Sequence, residues 1–263
     1  YVKYLSSDSL KGRSPGTPED IVLQDYISSE FKNYGLKASE FGYKQTFDLV
    51  TGVEIGEKTL LKYGEKTFML KDDFYPVSYS SSGSLSANLL FCGYGLDVKI
   101  DEYNRNDFQN IDVEGKWAVI FSGVPKSDLD IAKYDNDRDK AMLAADKGAL
   151  GVILISSDPN DTEDNLNLKL EHIPAVEIPV IQMKREAVLS LFDGKLDFVK
   201  QTEALQTKVL SQEIISTEKL DANLEINKLN TPTGNVIGML PGKDALKSKE
   251  WIVVGAHHDH LGM

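Results

Sequence analysis

The chain has 263 residues, 41% hydrophobic and 27% charged, the balance of a folded globular protein of one large or two ordinary domains. Its 41 acidic against 29 basic side chains give a net charge of -12 spread along the sequence, with no basic stripe to track a nucleic-acid backbone. The single cysteine, Cys92, excludes an intramolecular disulfide and a cysteine-based zinc site, and no run reaches the roughly 20 apolar residues of a membrane span.

The chain opens at Tyr1 with neither an initiator Met nor a signal peptide, as expected of a processed or trimmed polypeptide. Ser6–Gly16 is rich in turn-forming residues and reads as a loop. A helix is expected over 17–35. Thr17 suits the N-cap, Pro18 the first turn, Glu19 and Asp20 the positive end of the dipole, and Gly35 the stop. Ile21, Tyr26, Ile27, Phe31 and Tyr34 recur at helical spacing along it. Several short strands are expected between Phe47 and Leu90, then a polar connector at Ser78–Ser84, with Cys92 as a small buried residue.

A strand-and-helix series follows. Trp117–Phe121, Gly151–Ile155 and Ile178–Gln182 read as buried strands, with helices at Arg138–Lys147 and Lys184–Phe192. Asp135-Asn136-Asp137 reads as a solvated loop. Leu220–Asn227 alternates like a half-exposed strand, and Asn235–Leu240 reads as a buried one. Trp251-Ile-Val-Val-Gly-Ala256 has the β-branched composition of a central strand. This order implies an α/β fold without a fixed-period repeat.

Three of the four histidines fall in His257-His258-Asp259-His260. In extended chain His257 and Asp259 point one way, and His258 and His260 the other. Ligand sites of open α/β sheets lie beyond the carboxyl ends of strands, where Trp251–Ala256 is expected to deliver this cluster. A neutral imidazole is a good zinc ligand, and a nearby carboxylate commonly fixes its tautomer. A polar loop at a strand end is the plainer alternative.

Asn235-Val-Ile-Gly-Met-Leu-Pro-Gly242 followed by Trp251-Ile-Val-Val-Gly-Ala-His-His-Asp-His-Leu-Gly262 resembles the di-zinc aminopeptidases related to bacterial leucyl aminopeptidase and glutamate carboxypeptidase. The opening Leu5-Ser-Ser-Asp-Ser-Leu-Lys-Gly-Arg-Ser-Pro-Gly-Thr17 resembles their amino-terminal signature. Val113–Ile120 and Ala145–Leu154 are similar to the protease-associated domain inserted in many members. The resemblance implies three parts: an amino-terminal segment of the peptidase domain at 1–49, an inserted, β-rich α/β protease-associated domain at 50–215, and the first core strands of a mixed-sheet peptidase domain at 216–263.

The same resemblance implies that His257 ligates one of two zinc ions. Asp259, the catalytic assignment, orients it. His258 falls where the family often has an aromatic residue and is not expected to bind metal. His260, Arg13 and Thr17 match the motifs and are expected to have structural, packing and capping roles. The implied reaction removes amino-terminal residues from a peptide substrate by a metal-activated water, in an exported enzyme, periplasmic or extracellular. The family's bridging Asp, Glu-Glu pair, further acidic ligand and final His are expected beyond the Gly-Ala-His motif, so this chain is expected to be an amino-terminal part, inactive alone. Two other readings stand beside it: a protein-binding or substrate-gating module built on the insert, and a metallo-β-lactamase-like hydrolase. The last has Gly255 where its first ligand belongs.

Overall fold

A computed structural model describes residues 1–100, 103–127, 131–158, 166, 174–244, 247 and 250–262. In chain order the helices are α1 (Val2–Leu5), α2 (Pro18–Asn33), α3 (Asp137–Asp146), α4 (Arg185–Leu189) and α5 (Phe198–Ala204). The strands are β1 (Lys44–Ile55), β2 (Leu60–Tyr63), β3 (Lys66–Phe68), β4 (Phe74–Pro76), β5 (Gly83–Phe91), β6 (Asp97–Ile100), β7 (Tyr103–Asn106), β8 (Trp117–Ser122), β9 (Gly151–Ser156), β10 (Val180–Met183), β11 (Ile215–Leu224) and β12 (Ile226–Val236). No helix among the described residues is long and apolar enough to cross a membrane.

The chain divides into two units, Tyr1–Gly52 with Lys228–Met263, and Val53–Asn227. The second boundary lies beyond the expected 215/216 because β11 is a member of the inserted unit's own sheet. Among the described residues that sheet has eight strands in the order β3-β2-β11-β5-β8-β9-β10-β4. Its centre, β5-β8-β9-β10, is parallel, and its flanks are antiparallel. β6 and β7 form a separate antiparallel pair.

The parallel centre explains the unbroken apolar runs of the sequence, because both faces are covered. Leu89, Phe91, Trp117, Val119, Phe121, Ile153 and Ile155 join one core with Ala187 and Val188 of α4 and Phe198 of α5. The alternate residues Leu90, Cys92, Ala118, Ile120, Val152 and Leu154 join a second core with Ala141 and Ala144 of α3. Phe121 lies edge-on to Phe91, Tyr94 and Phe198, with ring centroids 5.0, 5.4 and 5.4 Å away. Gly151 leaves room for the Trp117 ring on the neighbouring strand, since a Cβ there would fall 2.4 Å from Cζ3.

The buried cations Lys140 and Arg105 each have a carbonyl and a carboxylate beside them, while Arg105 Nε has no hydrogen-bond partner among the described residues. Lys140 Nζ donates to the carbonyls of Phe121 (3.1 Å) and Gly123 and lies 3.5 Å from Asp137 Oδ1. Burial pulls its pKa down, against the opposing pull of Asp137 and Asp135. Arg105 pairs with Asp107 at 2.8 Å and donates to the Leu205 carbonyl. Asp135-Asn136-Asp137 is therefore more than a solvated loop. Asn136 caps α3 by accepting the Asp139 amide at 3.1 Å, and Asp137 accepts from Ser122 Oγ at 2.7 Å.

In the first unit, α2 matches its expected limits. Thr17 Oγ1 accepts the Asp20 amide at 3.3 Å, and Gly35 follows the last turn at φ 75°. Its buried face differs from the apolar pattern: Asp20, Leu23 and Gln24 are covered, whereas Ile21 and Tyr34 are exposed. β1 and β12 form a two-stranded ribbon. Asn235 donates to Gln45 at one end, and Thr51 and Thr231 share a 2.8 Å hydrogen bond nearer the other. The expected strand at Asn235–Leu240 is the tail of this ribbon, continued by paired bonds between Lys37 and Met239.

Phe121→Ala should destabilise the chain by about 3–5 kcal/mol in urea unfolding, since it empties the middle of three ring contacts. Burial also pushes the Cys92 thiol far up. The native chain should therefore resist iodoacetamide and become reactive only in denaturant, and alkylation at equal rates in both states would refute this.

Candidate metal-binding site

The opening segment is a short 3₁₀ helix, Asp8–Arg13, rather than an irregular loop, and it ends in three successive left-handed residues. These are Lys11 (φ 40°), Gly12 (φ 75°) and Arg13 (φ 61°). For Lys and Arg this conformation costs free energy and persists only where surroundings enforce it. Arg13 is enforced at several points. Its Nη1 donates to the Leu5 carbonyl, its Nε donates to the His258 carbonyl at 2.8 Å, and its own carbonyl accepts the His260 amide at 3.1 Å. Gly12 meets Gly262 so closely that a Cβ on Gly12 would stand 2.8 Å from the Gly262 Cα. The two motifs that flank the insert in sequence thus touch each other.

Beneath this contact lies a polar network. Asp20, buried at the start of α2, accepts the Gly16 amide (3.0 Å) and the Thr233 hydroxyl (2.7 Å) through Oδ2. Gln24 Nε2 in turn donates to Thr233 at 3.5 Å. The second oxygen, Oδ1, has no hydrogen-bond partner and faces His258 Nδ1, also unpartnered, at 3.9 Å.

On the other side of the chain, the His257 side chain is 95% exposed, and its Nδ1 lies 3.4 Å from Asp259 Oδ1. The expected alternation holds for this pair: His257 and Asp259 come together while the His258 side chain, 20% exposed, packs inward against Asp20. His260 engages through its backbone amide. Among the described residues no group of three or more His, Cys, Asp or Glu side chains is arranged to hold a metal ion.

The delivery of this pair differs from expectation. Trp251–Ala256 is neither strand nor helix, and it is exposed throughout, Ile252 to 93%. A β-branched run becomes a strand only when neighbours pair with its backbone and cover its faces, and no described strand does so. The residues that follow His257 are held instead from the other direction, His258 and His260 by their backbone bonds to the Arg13 turn.

The sequence singles out Arg13 and Thr17, which the structure places at the turn and the N-cap, and His257 and Asp259, which it places side by side; the Asp20–His258 contact was not expected. The spacing Thr17-x-x-Asp20 is a capping-box signature, which could have marked Asp20 as more than a dipole-favouring charge. Nothing local signals its reach to His258.

Residues 81–191 match the family model of the PA domain, within the span expected for the insert. No curated protein sequence matches the chain. Among solved structures, an aminopeptidase from Aneurinibacillus sp. strain AM-1 is similar at 21% identity and a TM-score of 0.46, with 98% of this chain and 51% of that one covered. BSAP, a zinc aminopeptidase from Bacillus subtilis, is similar at 22% identity and a TM-score of 0.37, covering 92% and 46%. A peptidase M28 precursor from Shewanella amazonensis shares 17% identity with a TM-score of 0.39, covering 90% and 51%. The chain spans about half the length of these structures.

Arg13→Ala and Arg13→Gly should both destabilise the chain and speed hydrogen exchange at the His260 amide. Arg13→Gly should be the milder by roughly 1 kcal/mol, because glycine adopts the positive φ freely. Equal stability of the two variants would remove the strain argument.

Proposed function

We propose that this chain is the amino-terminal part of an exported zinc-dependent aminopeptidase, carrying one ligand of a di-zinc site and an inserted PA domain. The observation that carries this reading is the outward His257 imidazole with a carboxylate, Asp259, facing its Nδ1 at 3.4 Å. A hydrogen bond donated by Nδ1–H to Asp259 would leave the Nε2 lone pair for a metal and make the imidazole a stronger donor. The donor set fits zinc, for which imidazole nitrogen is a preferred ligand. When bound, zinc supplies the Lewis acidity that activates a water toward a peptide carbonyl. A catalytic zinc takes about three protein ligands, so His257 needs further acidic and imidazole groups from outside the described residues. A protein-binding or substrate-gating module is the second reading, favoured by the PA-domain match over 81–191.

On this account the chain by itself binds zinc weakly and does not turn over aminoacyl substrates. Calorimetry should show weak zinc uptake that His257→Ala abolishes, and a tight complex with two zinc ions would contradict the account. A longer polypeptide supplying the remaining ligands should release amino-terminal residues from peptides, with activity removed by a chelator and by His257→Ala. If it bound peptides without cleaving them, the binding-module reading would replace this one.

A further inference from the structure

We propose that Asp20 and Arg13 are positioning residues for His257 and that they act through His258, which is the anchor of the motif rather than a ligand. The inference rests on the metal reading of His257. Alternation ties neighbours in extended chain together: fixing the face of one residue fixes the opposite face of the residues on either side. His258 is held at two points. Its carbonyl accepts Arg13 Nε at 2.8 Å, and its ring faces the buried Asp20 carboxylate. With residue 258 held inward, His257 and Asp259 are turned outward together, the arrangement that aligns imidazole and carboxylate.

The Asp20 side chain is itself fixed. Oδ2 is committed to two donors, the Gly16 amide and the Thr233 hydroxyl, the latter oriented by Gln24. That leaves Oδ1 buried, unpartnered and aimed at His258 Nδ1, also unpartnered. A buried carboxylate oxygen without a donor is costly, and a small ring rotation that closes the 3.9 Å gap removes that cost. An ionised carboxylate only accepts hydrogen bonds, so the anchor requires a proton on His258 Nδ1.

This requirement is directly readable. Nitrogen-detected NMR of the imidazole rings in the full chain at about pH 8.5, with His258 assigned by loss of its signal in His258→Gln, should find Nδ1 of His258 protonated. Asp20→Asn makes a sharper prediction. The Asn oxygen must take the Oδ2 position to serve its two donors, so the amide NH₂ faces His258, and the ring must switch to protonation at Nε2 only. Zinc ion alone, titrated in the same samples, should shift the His257 resonances. Its apparent affinity should fall about tenfold in Asp20→Ala and stay within about twofold in Asp20→Asn, where donor and acceptor are exchanged but the contact survives. His258 protonated only at Nε2 in the unaltered chain, and unchanged by Asp20→Asn, would overturn the anchor whatever zinc does. A His257 resonance unmoved by zinc would instead overturn the metal reading and leave the tautomer result standing.

Discussion

Arg13 sits at φ 61°, and its guanidinium and carbonyl together hold Leu5, His258 and His260. The left-handed backbone costs a residue of this kind on the order of 1–3 kcal/mol. Hydrogen bonds to a charged donor contribute roughly 1.5–3 kcal/mol each, so two of them are enough to hold the turn in place. Remove the guanidinium and the turn loses its reason to exist. His257-His258-Asp259-His260 would then lose its side-chain attachment to the opening segment. The outward orientation of His257 and Asp259 depends on this latch.

The two units are held by different physics. The inserted unit is a parallel-centred sheet with an apolar core on each face, tight enough that Gly151 is needed beside Trp117. Its buried charges, Lys140 and the Arg105–Asp107 pair, have carbonyls and counter-charges beside them, although Arg105 Nε has no hydrogen-bond partner among the described residues. The other unit relies on polar specificity around its site: an N-cap, a buried carboxylate, a threonine and a glutamine on one network. A polar network costs more than an apolar core when any member is unmatched, which is why the open face of Asp20 toward His258 carries meaning.

The sequence was most legible where burial is two-sided. Trp117–Phe121 and Gly151–Ile155 could be read directly, because a strand covered on both faces needs an unbroken apolar run, and α2 could be read from Thr17, Pro18 and Gly35. β12 was missed because Lys228-Leu-Asn-Thr-Pro-Thr233 is polar and largely exposed, held by ladder pairing with β1 rather than by burial. Trp251–Ala256 misled in the opposite sense, since composition reports what a segment could pair with and not whether a partner is beside it. Of the site, the His257–Asp259 alternation followed from local geometry. The Asp20–His258 contact joins residues at opposite ends of the sequence, and only the folded chain brings them together.

The central claim is that His257, turned outward and backed by Asp259, is a zinc ligand. Crystals of the chain soaked in zinc and measured at wavelengths on either side of the zinc absorption edge test it most directly. The account predicts an anomalous peak at His257 Nε2 with Asp259 on the opposite ring nitrogen. A peak bridging Asp20 and His258, or zinc bound only at sites remote from residue 257, would contradict it.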